Sequence, residues 1–402
     1  MHFVRMASAL CTAFSLLPGV VSAQTLLTLP EALARAREQA PRIISARLAV
    51  AEARGRLAGA SLRFRQNPEL QGAVGNRPSG QPTDFEIGLA QTLEPGGRRA
   101  ARVEAASAAI GQGAADLDEV TRLVLRETAS AFLRALHASE RIRLLTATEQ
   151  LAAAVHQIAD RRFRAGDLAV LDVNIARSAV ARVRADGLAA TAVRAAALTE
   201  LRQLLPGDEI DVRGDLLLSE VPDTGALLQS ASQRPELRAL EAAIREADAE
   251  VQLGRTFGSP DYGFGIRYER EEGHRTLFGG MTLTLPVFSK GQELRAVGSA
   301  RAARLRAELD AARRRIQTEV RATLGVYGKR LEAVRLLERE ALPGSDENET
   351  LAERSFEVGQ IGLPDLLLIR REIMDTRFQY LDALLEAVLA RVELDASAAI
   401  LR

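Results

Sequence analysis

Two aspartates stand at matching places in a bend that this sequence contains twice. The first bend, RFRAGDLAVLD, ends on Asp172, and the second, SFEVGQIGLPD, ends on Asp365, 193 positions later. Gly166 and Gly359 occupy the same place within each bend, and a helix that ends in a sharp turn favours glycine because the left-handed conformation is open to it. A carboxylate just after such a bend lies in the first turn of the next helix, where it stabilises the helix dipole.

The histidines are the other side chains that could do chemistry, and they are scattered. His137, His156 and His274 lack the partners and the spacing of a metal site. His274 lies in the stretch EEGHRT, which we predict to be a loop between strands. The alternative for that loop is a weak copper or zinc contact shared with Glu271 and Glu272.

The phrase EPGGRR is similar to a phosphate-binding loop because it follows a strand pattern and opens a helix pattern. It lacks the G-x-x-x-x-G-K-[ST] spacing, so we interpret it as a turn at a membrane interface. No Ser/His/Asp set, carboxylate pair or cofactor lysine stands out along the chain. The sequence therefore predicts a protein that is not an enzyme and holds no cofactor or metal.

Residues 1–23 have the features of a secretory signal. Arg5 supplies a positive start, an apolar stretch follows it, and the tripeptide VSA offers the small residues that a signal peptidase accepts. The single cysteine, Cys11, lies inside the apolar stretch. We therefore expect an exported chain without disulfides, without thiolate metal ligands and without an attached lipid.

Composition narrows the class of protein further. The 402 residues include 53 basic and 53 acidic side chains, a balance that gives no reason to expect nucleic acid or an anionic surface as a partner. Alanine, leucine, arginine and glutamate dominate, which is typical of long packed helices. After the signal, no stretch reaches the roughly 18 apolar residues of a transmembrane helix, so any membrane crossing is expected to use β-strands.

Similarity between the two halves of the chain predicts an internal duplication. Residues 24–215 form the first predicted repeat and residues 216–402 the second, each with the order helix, two short strands, long helix, bend and helix. The strands are expected at about 68–76 and 83–93 in the first repeat, and at about 261–269 and 276–286 in the second.

Proline and glycine set the bounds of the predicted helices. We expect the opening helix at about residues 30–64. The helix at residues 98–165 contains no proline and would be about 100 Å long. In the second repeat, a helix that begins after Lys290 is expected to break or kink at Pro343, and the last helix is expected to begin at Leu363.

Apolar and polar residues alternate along the predicted strands, so each strand has one apolar face. Four strands cannot close a barrel in a membrane, whereas three chains would supply twelve. The alternative is a soluble helical bundle with two hairpins packed on it. The apolar residues expected to face lipid are Phe85, Ile87, Leu89, Tyr262, Phe264, Ile266 and Tyr268.

Several phrases, in their order along the chain, resemble the TolC-like outer-membrane efflux proteins, and most of all their CzcC-like heavy-metal branch. The phrases are LTLPEALARA, NPEL, QTLEPGGRRAARVEAA and LTLPVFSKGQ, together with the two bends. The resemblance covers the chain after the signal. It implies a mainly α-helical chain with four membrane strands, in a homotrimer whose 12-stranded β-barrel continues as a long periplasmic α-helical barrel.

The resemblance also implies a function and partners. The chain would be the outer-membrane channel of a tripartite efflux pump in a Gram-negative bacterium. It would work with a periplasmic adaptor protein and an inner-membrane transporter of the resistance–nodulation–division class, and would export small solutes, divalent metal cations among them. The alternatives are the outer channel of a type I protein secretion system and a soluble periplasmic scaffold without a pore.

In this family the two bends form the periplasmic end of the channel. Matching positions make Asp172 and Asp365 candidates for acidic rings at the pore constriction, as the alternative to a role at the helix dipole. Some relatives close the gate with polar residues where this chain has apolar ones, so apolar packing is the implied latch. The latch candidates are Phe356, Ile361 and Leu368, and the hairpin tips expected to contact the adaptor are Gly166, Asp167, Gly359 and Gln360.

Overall fold

The structure is a computed structural model that describes residues 25–75, 83–206, 210–272 and 274–401. The predicted signal, residues 1–23, lies outside the described residues. The helices are α1 (Leu29–Gln39), α2 (Pro41–Ala60), α3 (Arg98–Arg164), α4 (Val170–Leu204), α5 (Thr224–Ala231), α6 (Pro235–Thr256), α7 (Gln292–Leu336), α8 (Leu342–Glu357) and α9 (Leu363–Ser397). The strands are β1 (Thr25–Leu27), β2 (Glu69–Gly75), β3 (Asp84–Leu93), β4 (Ile210–Val212), β5 (Asp261–Glu271) and β6 (His274–Thr284).

The order of elements repeats along the described chain. A divided helix, two strands and two long helices form the first half, from α1 to α4. The second half, from α5 to α9, has the same order, except that α7 and α8 together take the place of one long helix. Strands β2, β3, β5 and β6 begin and end within two residues of the positions expected from the sequence, although residue 76 is not described. His274 is the first residue of β6, so its expected place in a loop was wrong.

The opening helix is divided, which corrects the expected single helix over residues 30–64. Ala40 has φ −62° and ψ 125°, and α2 begins at Pro41 and ends at Ala60. The residue before a proline is pushed out of the helical region, while proline itself fits the first turn of a helix. Arg234 and Pro235 divide α5 from α6 in the same way.

Helix α3 has 67 residues and is therefore about 100 Å long, close to the length expected. In the second half the helix does not break at Pro343. A five-residue π-helical turn, Leu337–Ala341, joins α7 to α8, and Pro343 lies in the first turn of α8. The wider turn accommodates the proline ring and its missing N–H without ending the helix.

Strands β2, β3, β5 and β6 form one antiparallel sheet in that order. All four strands enter or leave the helices at one end of the sheet, where Leu93 lies opposite Tyr262 and Asp261 lies opposite Thr284. We call this end the helix end of the sheet. At the opposite end, Glu271 lies opposite His274.

A second sheet was not expected from the sequence. Strands β1 and β4 pair in parallel, with Leu27 opposite Val212. The two strands lie more than 180 positions apart, and each has only three residues, so no local pattern marks them.

The largest buried cluster lies where the start of the chain meets the middle of the long helices. Leu33 of α1, Phe132 of α3, Leu201 of α4 and Val388 of α9 belong to it. None of the helices that the structure describes is long and apolar enough to cross a membrane.

Candidate functional site

The first bend ends α3 with a left-handed glycine. Gly166 has φ +85°, its N–H donates to the carbonyl of Phe163 at 3.0 Å, and the N–H of Asp167 donates to the carbonyl of Arg162 at 2.9 Å. These two bonds define a Schellman motif, which satisfies the last carbonyls of the helix.

The second bend has the same construction. Gly359 has φ +76°, its N–H donates to the carbonyl of Phe356 at 3.2 Å, and the N–H of Gln360 donates to the carbonyl of Ser355 at 2.8 Å. The left-handed conformation expected of both glycines is therefore present. A side chain at either place would be strained, which is the physical reason for glycine in both copies.

The two hairpin ends pack against each other through a small apolar cluster. Val155 and Ala159 of α3, Ala176 of α4 and Leu363 of α9 are its buried members, and Phe356 is half-buried against them. Phe356, a predicted latch residue, therefore packs within its own chain. The cluster fixes the spacing between the tips that begin α4 and α9.

Asp365 is the third residue of α9 and caps that helix. Its carboxylate accepts the N–H of Gly362 at 3.2 Å, and its side chain is exposed. Asp172 is the third residue of α4 and is half-buried. The two aspartates thus occupy equivalent places at the N-termini of two 35-residue helices, where the positive end of each dipole favours a carboxylate.

The remaining latch candidates lie on the surface of the chain. Leu368 is 66% exposed and Ile361 is half-buried. Leu368 borders a groove of about 600 Å³ between α3, α4 and α9. Beside it, Arg370 donates to Glu353 at 2.8 Å, which ties α9 to α8 just behind the second tip.

One face of the main sheet is apolar across all four strands. Leu70 lies opposite Leu89, Leu89 opposite Ile266, and Phe264 opposite Met281. The predicted residues share this face, and all of them except half-buried Tyr268 are between 39% and 60% exposed. They are Phe85, Ile87, Leu89, Tyr262, Phe264, Ile266 and Tyr268.

The other face of the sheet is mostly polar, although exposed Phe278 lies on it opposite Arg267. Glu86 and Arg267 form an ion pair on it at 3.0 Å, next to glycine and threonine positions. An apolar face that covers four strands and is left exposed is far larger than the isolated apolar residues of an ordinary surface.

The phrase EPGGRR forms a buried polar junction between the sheet and the helices. Gly97 has φ +95° at the start of α3. Arg98 is 5% exposed, donates to Asp261 at 2.6 Å and stacks on Phe257, with 4.4 Å from its Cζ to the ring centre. Buried Arg102 pairs with Glu94. These arginines are engaged within the chain, which agrees with a structural turn rather than a phosphate loop.

A second pair of buried arginines, which sequence reasoning missed, holds the end of α9. Arg122 donates to the carbonyl of Ala396 at 2.8 Å and to Glu119 at 2.5 Å. Burial alone would raise the pKa of Glu119, but hydrogen bonds from Arg122 and its charge lower it. Arg234 donates to the carbonyl of Ser397 at 3.4 Å. Cations at the end of a helix stabilise its negative pole.

The histidines do not come together. His137 of α3 contacts Asp382 of α9, with 2.8 Å from Nε2 to Oδ1, and Arg141 donates to the same carboxylate. Burial lowers the pKa of His137, although the hydrogen bond with Asp382 opposes that shift. Within the described ranges, no group of three or more His, Cys, Asp or Glu side chains could hold a metal ion.

Comparisons with known proteins agree with this geometry. The model of the family described as outer membrane efflux protein matches residues 32–207. The cobalt-zinc-cadmium resistance protein CzcC of Cupriavidus metallidurans is 25% identical over 336 residues, which cover 82% of this chain and 80% of that protein.

Solved structures share the fold. A membrane protein from Pseudomonas aeruginosa superposes with a TM-score of 0.78 at 19% identity over 92% of both chains. CusC, solved in a study of folding and transmembrane channel formation, superposes with a TM-score of 0.76 at 18% identity over 96% of this chain and 95% of that one. The resemblance predicted from the sequence is confirmed: residues 32–207 match the outer membrane efflux protein family, and the chain has the fold of the TolC-like channels.

Proposed function

We propose that this chain is the outer-membrane channel of an efflux pump, and that three copies form one pore. The observation that carries the proposal is the exposed apolar face of a four-stranded sheet joined to helices about 100 Å long. An apolar surface of that extent on a sheet is suited to lipid, and helices of that length are suited to crossing a periplasm.

The need for several copies follows from the edges of the sheet. Strands β2 and β6 are its outer strands, and on its outer side neither pairs with another strand among the described residues. Lipid cannot satisfy the backbone groups of such an edge, so each edge must pair with another chain. Three chains would give a closed barrel of twelve strands, with the apolar face outward and the face of Glu86 and Arg267 towards the lumen.

The helices would then continue the pore into the periplasm. The tips at Gly166, Asp167, Gly359 and Gln360 would lie at the far end, where a periplasmic adaptor protein and an inner-membrane transporter of the resistance–nodulation–division class would meet them. The channel would be a passive conduit without catalysis. Solutes would leave the cell through it without chemical change.

Charge at the constriction supports cations as cargo. Asp365 is exposed at the start of α9, and Asp172 is in the equivalent place at the start of α4. In a trimer they would form acidic rings, which attract cations and repel anions. The relative CzcC is named for cobalt, zinc and cadmium resistance, and divalent metal cations are accordingly the proposed substrates.

The closed state would depend on apolar contacts. Phe356 already packs between the two hairpins, while exposed Leu368 and half-buried Ile361 are available to a neighbouring chain. Repulsion among the aspartates favours opening, and apolar contacts at the same level would oppose it.

Single-channel conductance of the detergent-purified protein in a planar bilayer tests this function. Wild type is expected to give small, cation-selective steps, and Ile361→Asp is expected to increase the open fraction because a charge replaces an apolar contact. A protein that stays soluble without detergent and forms no pore would be a scaffold instead. An open fraction in Ile361→Asp equal to that of wild type would place the latch elsewhere.

A further inference from the structure

The helix end of the sheet carries exposed apolar side chains that do not belong to the strands. Leu62 and Phe64 lie between α2 and β2, and both are just over half exposed. Leu285, Val287 and Phe288 lie between β6 and α7, and Phe288 is 91% exposed. These side chains lie in the connections next to β2 and β6, where the sheet meets the helices.

The segments at this border lie together in space. The Nε of Arg99 donates to the carbonyl of Ser61 at 2.9 Å, and Arg98 donates to the carbonyl of Thr256 at 3.2 Å. Gly291 passes so close to Gly254 that an added Cβ on Gly254 would lie 3.0 Å from the Gly291 carbonyl oxygen. We call residues 61–66, 94–99, 255–260 and 285–295 the collar.

The collar is strongly cationic, although the whole chain has no net charge. Its acidic residues are Glu94, which pairs with buried Arg102, and Glu293, which is exposed. Asp261, next to the collar, pairs with buried Arg98. The exposed basic residues, none of which forms an ion pair with a described residue, are Arg63, Arg65, Arg99, Arg255, Lys290 and Arg295.

We propose that the collar binds the headgroups of anionic phospholipids in the leaflet that borders the helix end of the sheet. Six exposed cations against one exposed carboxylate complement a negative surface. Phe64 and Phe288 sit among those cations, so rings can enter the acyl boundary while guanidinium and ammonium groups reach the phosphates. This inference rests on the proposed insertion of the sheet into a membrane.

Spin-labelled lipids measure this preference directly. The full-length protein is reconstituted in phosphatidylcholine vesicles with traces of spin-labelled phosphatidylglycerol or phosphatidylcholine, and the motionally restricted fraction of each is compared. Wild type is expected to favour phosphatidylglycerol by about threefold or more, and high salt should reduce that preference.

Variants that remove positive charge test whether the preference for phosphatidylglycerol arises at the collar. The combined substitution Arg63→Gln, Arg65→Gln and Lys290→Gln removes three of the six exposed cations, so we expect it to reduce the ratio by about half or more. The control removes the same charge from exposed arginines of α7 and α8 that form no ion pair with a described residue. Its substitutions are Arg314→Gln, Arg321→Gln and Arg354→Gln.

A ratio of one for wild type, or an equal loss in the control variant, would overturn the inference. So would a preference that the collar substitutions leave unchanged, because the headgroups would then bind elsewhere. Conductance of the same vesicles separates this from the proposed function. A working pore without lipid preference overturns the collar alone, while a wild type without a pore overturns the channel.

Discussion

Asp365 makes a structural contact, and the proposed acidic ring would give it an electrostatic role as well; two substitutions separate the two. Its carboxylate accepts the N–H of Gly362 at 3.2 Å, so it caps α9 in every copy. Asp365→Asn keeps an oxygen that can accept this bond, and we expect it to reduce cation selectivity while thermal stability is nearly unchanged. Asp365→Ala loses the cap too, which costs about 1 kcal/mol.

Reversal potentials in a salt gradient, together with thermal unfolding of the same preparations, measure the two effects. Full cation selectivity in Asp365→Asn would assign this side chain to capping alone and would remove the acidic ring from the mechanism.

His137 gives the packing of α3 against α9 a defined pH dependence. Burial lowers its pKa, so the unfolded chain takes up a proton near pH 6.5 while the folded chain does so only at lower pH. The neutral imidazole of His137 therefore makes its full contribution to folding stability above pH 6.5. That contribution is lost as the pH falls from 6.5 through the lowered pKa of the folded state.

His137→Gln should remove that part of the pH dependence, since glutamine does not titrate in this range. Thermal unfolding followed by circular dichroism at pH 7.5 and pH 5 compares the two proteins. We expect the melting temperature of wild type to fall more than that of the variant. If the melting temperatures of wild type and variant fall equally, the surroundings formed by Asp382 and Arg141 stabilise the neutral and the charged imidazole equally well.

At the scale of the elements, the two bends depend on the backbone of one glycine each. Gly359 has φ +76°, where an alanine costs about 1–2 kcal/mol. Gly359→Ala is therefore expected to loosen the second tip. Gly187→Ala is the matched control, because Gly187 lies inside α4 with open space around it, and alanine stabilises a helix interior by about 1 kcal/mol.

Hydrogen exchange at the tip measures this loosening where it occurs. The amide of Gln360, which donates to the carbonyl of Ser355, should exchange faster in Gly359→Ala and at the wild-type rate in Gly187→Ala. An unchanged rate in Gly359→Ala would mean that the bend keeps its hydrogen bonds with a side chain in place.

Elements with a local physical cause could be predicted from the sequence. The alternation along β5 and the glycines of the bends are examples, because period-two burial and left-handed backbone both depend on neighbouring residues. The division of the opening helix at Pro41 also has a local cause. The apolar pattern continues across Pro41, however, so the sequence did not reveal the break.

Contacts between distant segments could not be predicted in this way. Strand β1 pairs with β4 far along the chain, and Arg122 reaches the carbonyl of Ala396 from another helix. Arginine is rarely buried, so its type alone gives no sign of such a role. At the candidate site, the capping contact of Asp365 could be predicted from its position at the start of a helix. The packing of Phe356 between two hairpins could not, because it depends on residues far apart in the sequence.

At the scale of the whole molecule, the two faces of the sheet must meet different surroundings. Met281 is 66% exposed on the apolar face, opposite Phe264, and Thr282 is the next residue, opposite Gly263 on the polar face. The two positions lie at the same depth. The same charged substitution at Met281 and at Thr282 therefore places its charge on opposite faces of the sheet, and the two variants differ in nothing else.

Met281→Arg would place a guanidinium in lipid, which costs about 2–4 kcal/mol near the middle of a bilayer, and in a trimer every copy carries that cost. Thr282→Arg would place the same group in the water-filled lumen. We expect Met281→Arg to deplete folded trimer from the outer-membrane fraction, and Thr282→Arg to leave the amount of trimer near that of wild type. Quantification of trimer in extracted membranes measures both. Amounts near that of wild type for both variants would mean that the apolar face does not contact lipid. Equal depletion of both variants would mean that the polar face is packed rather than open to water.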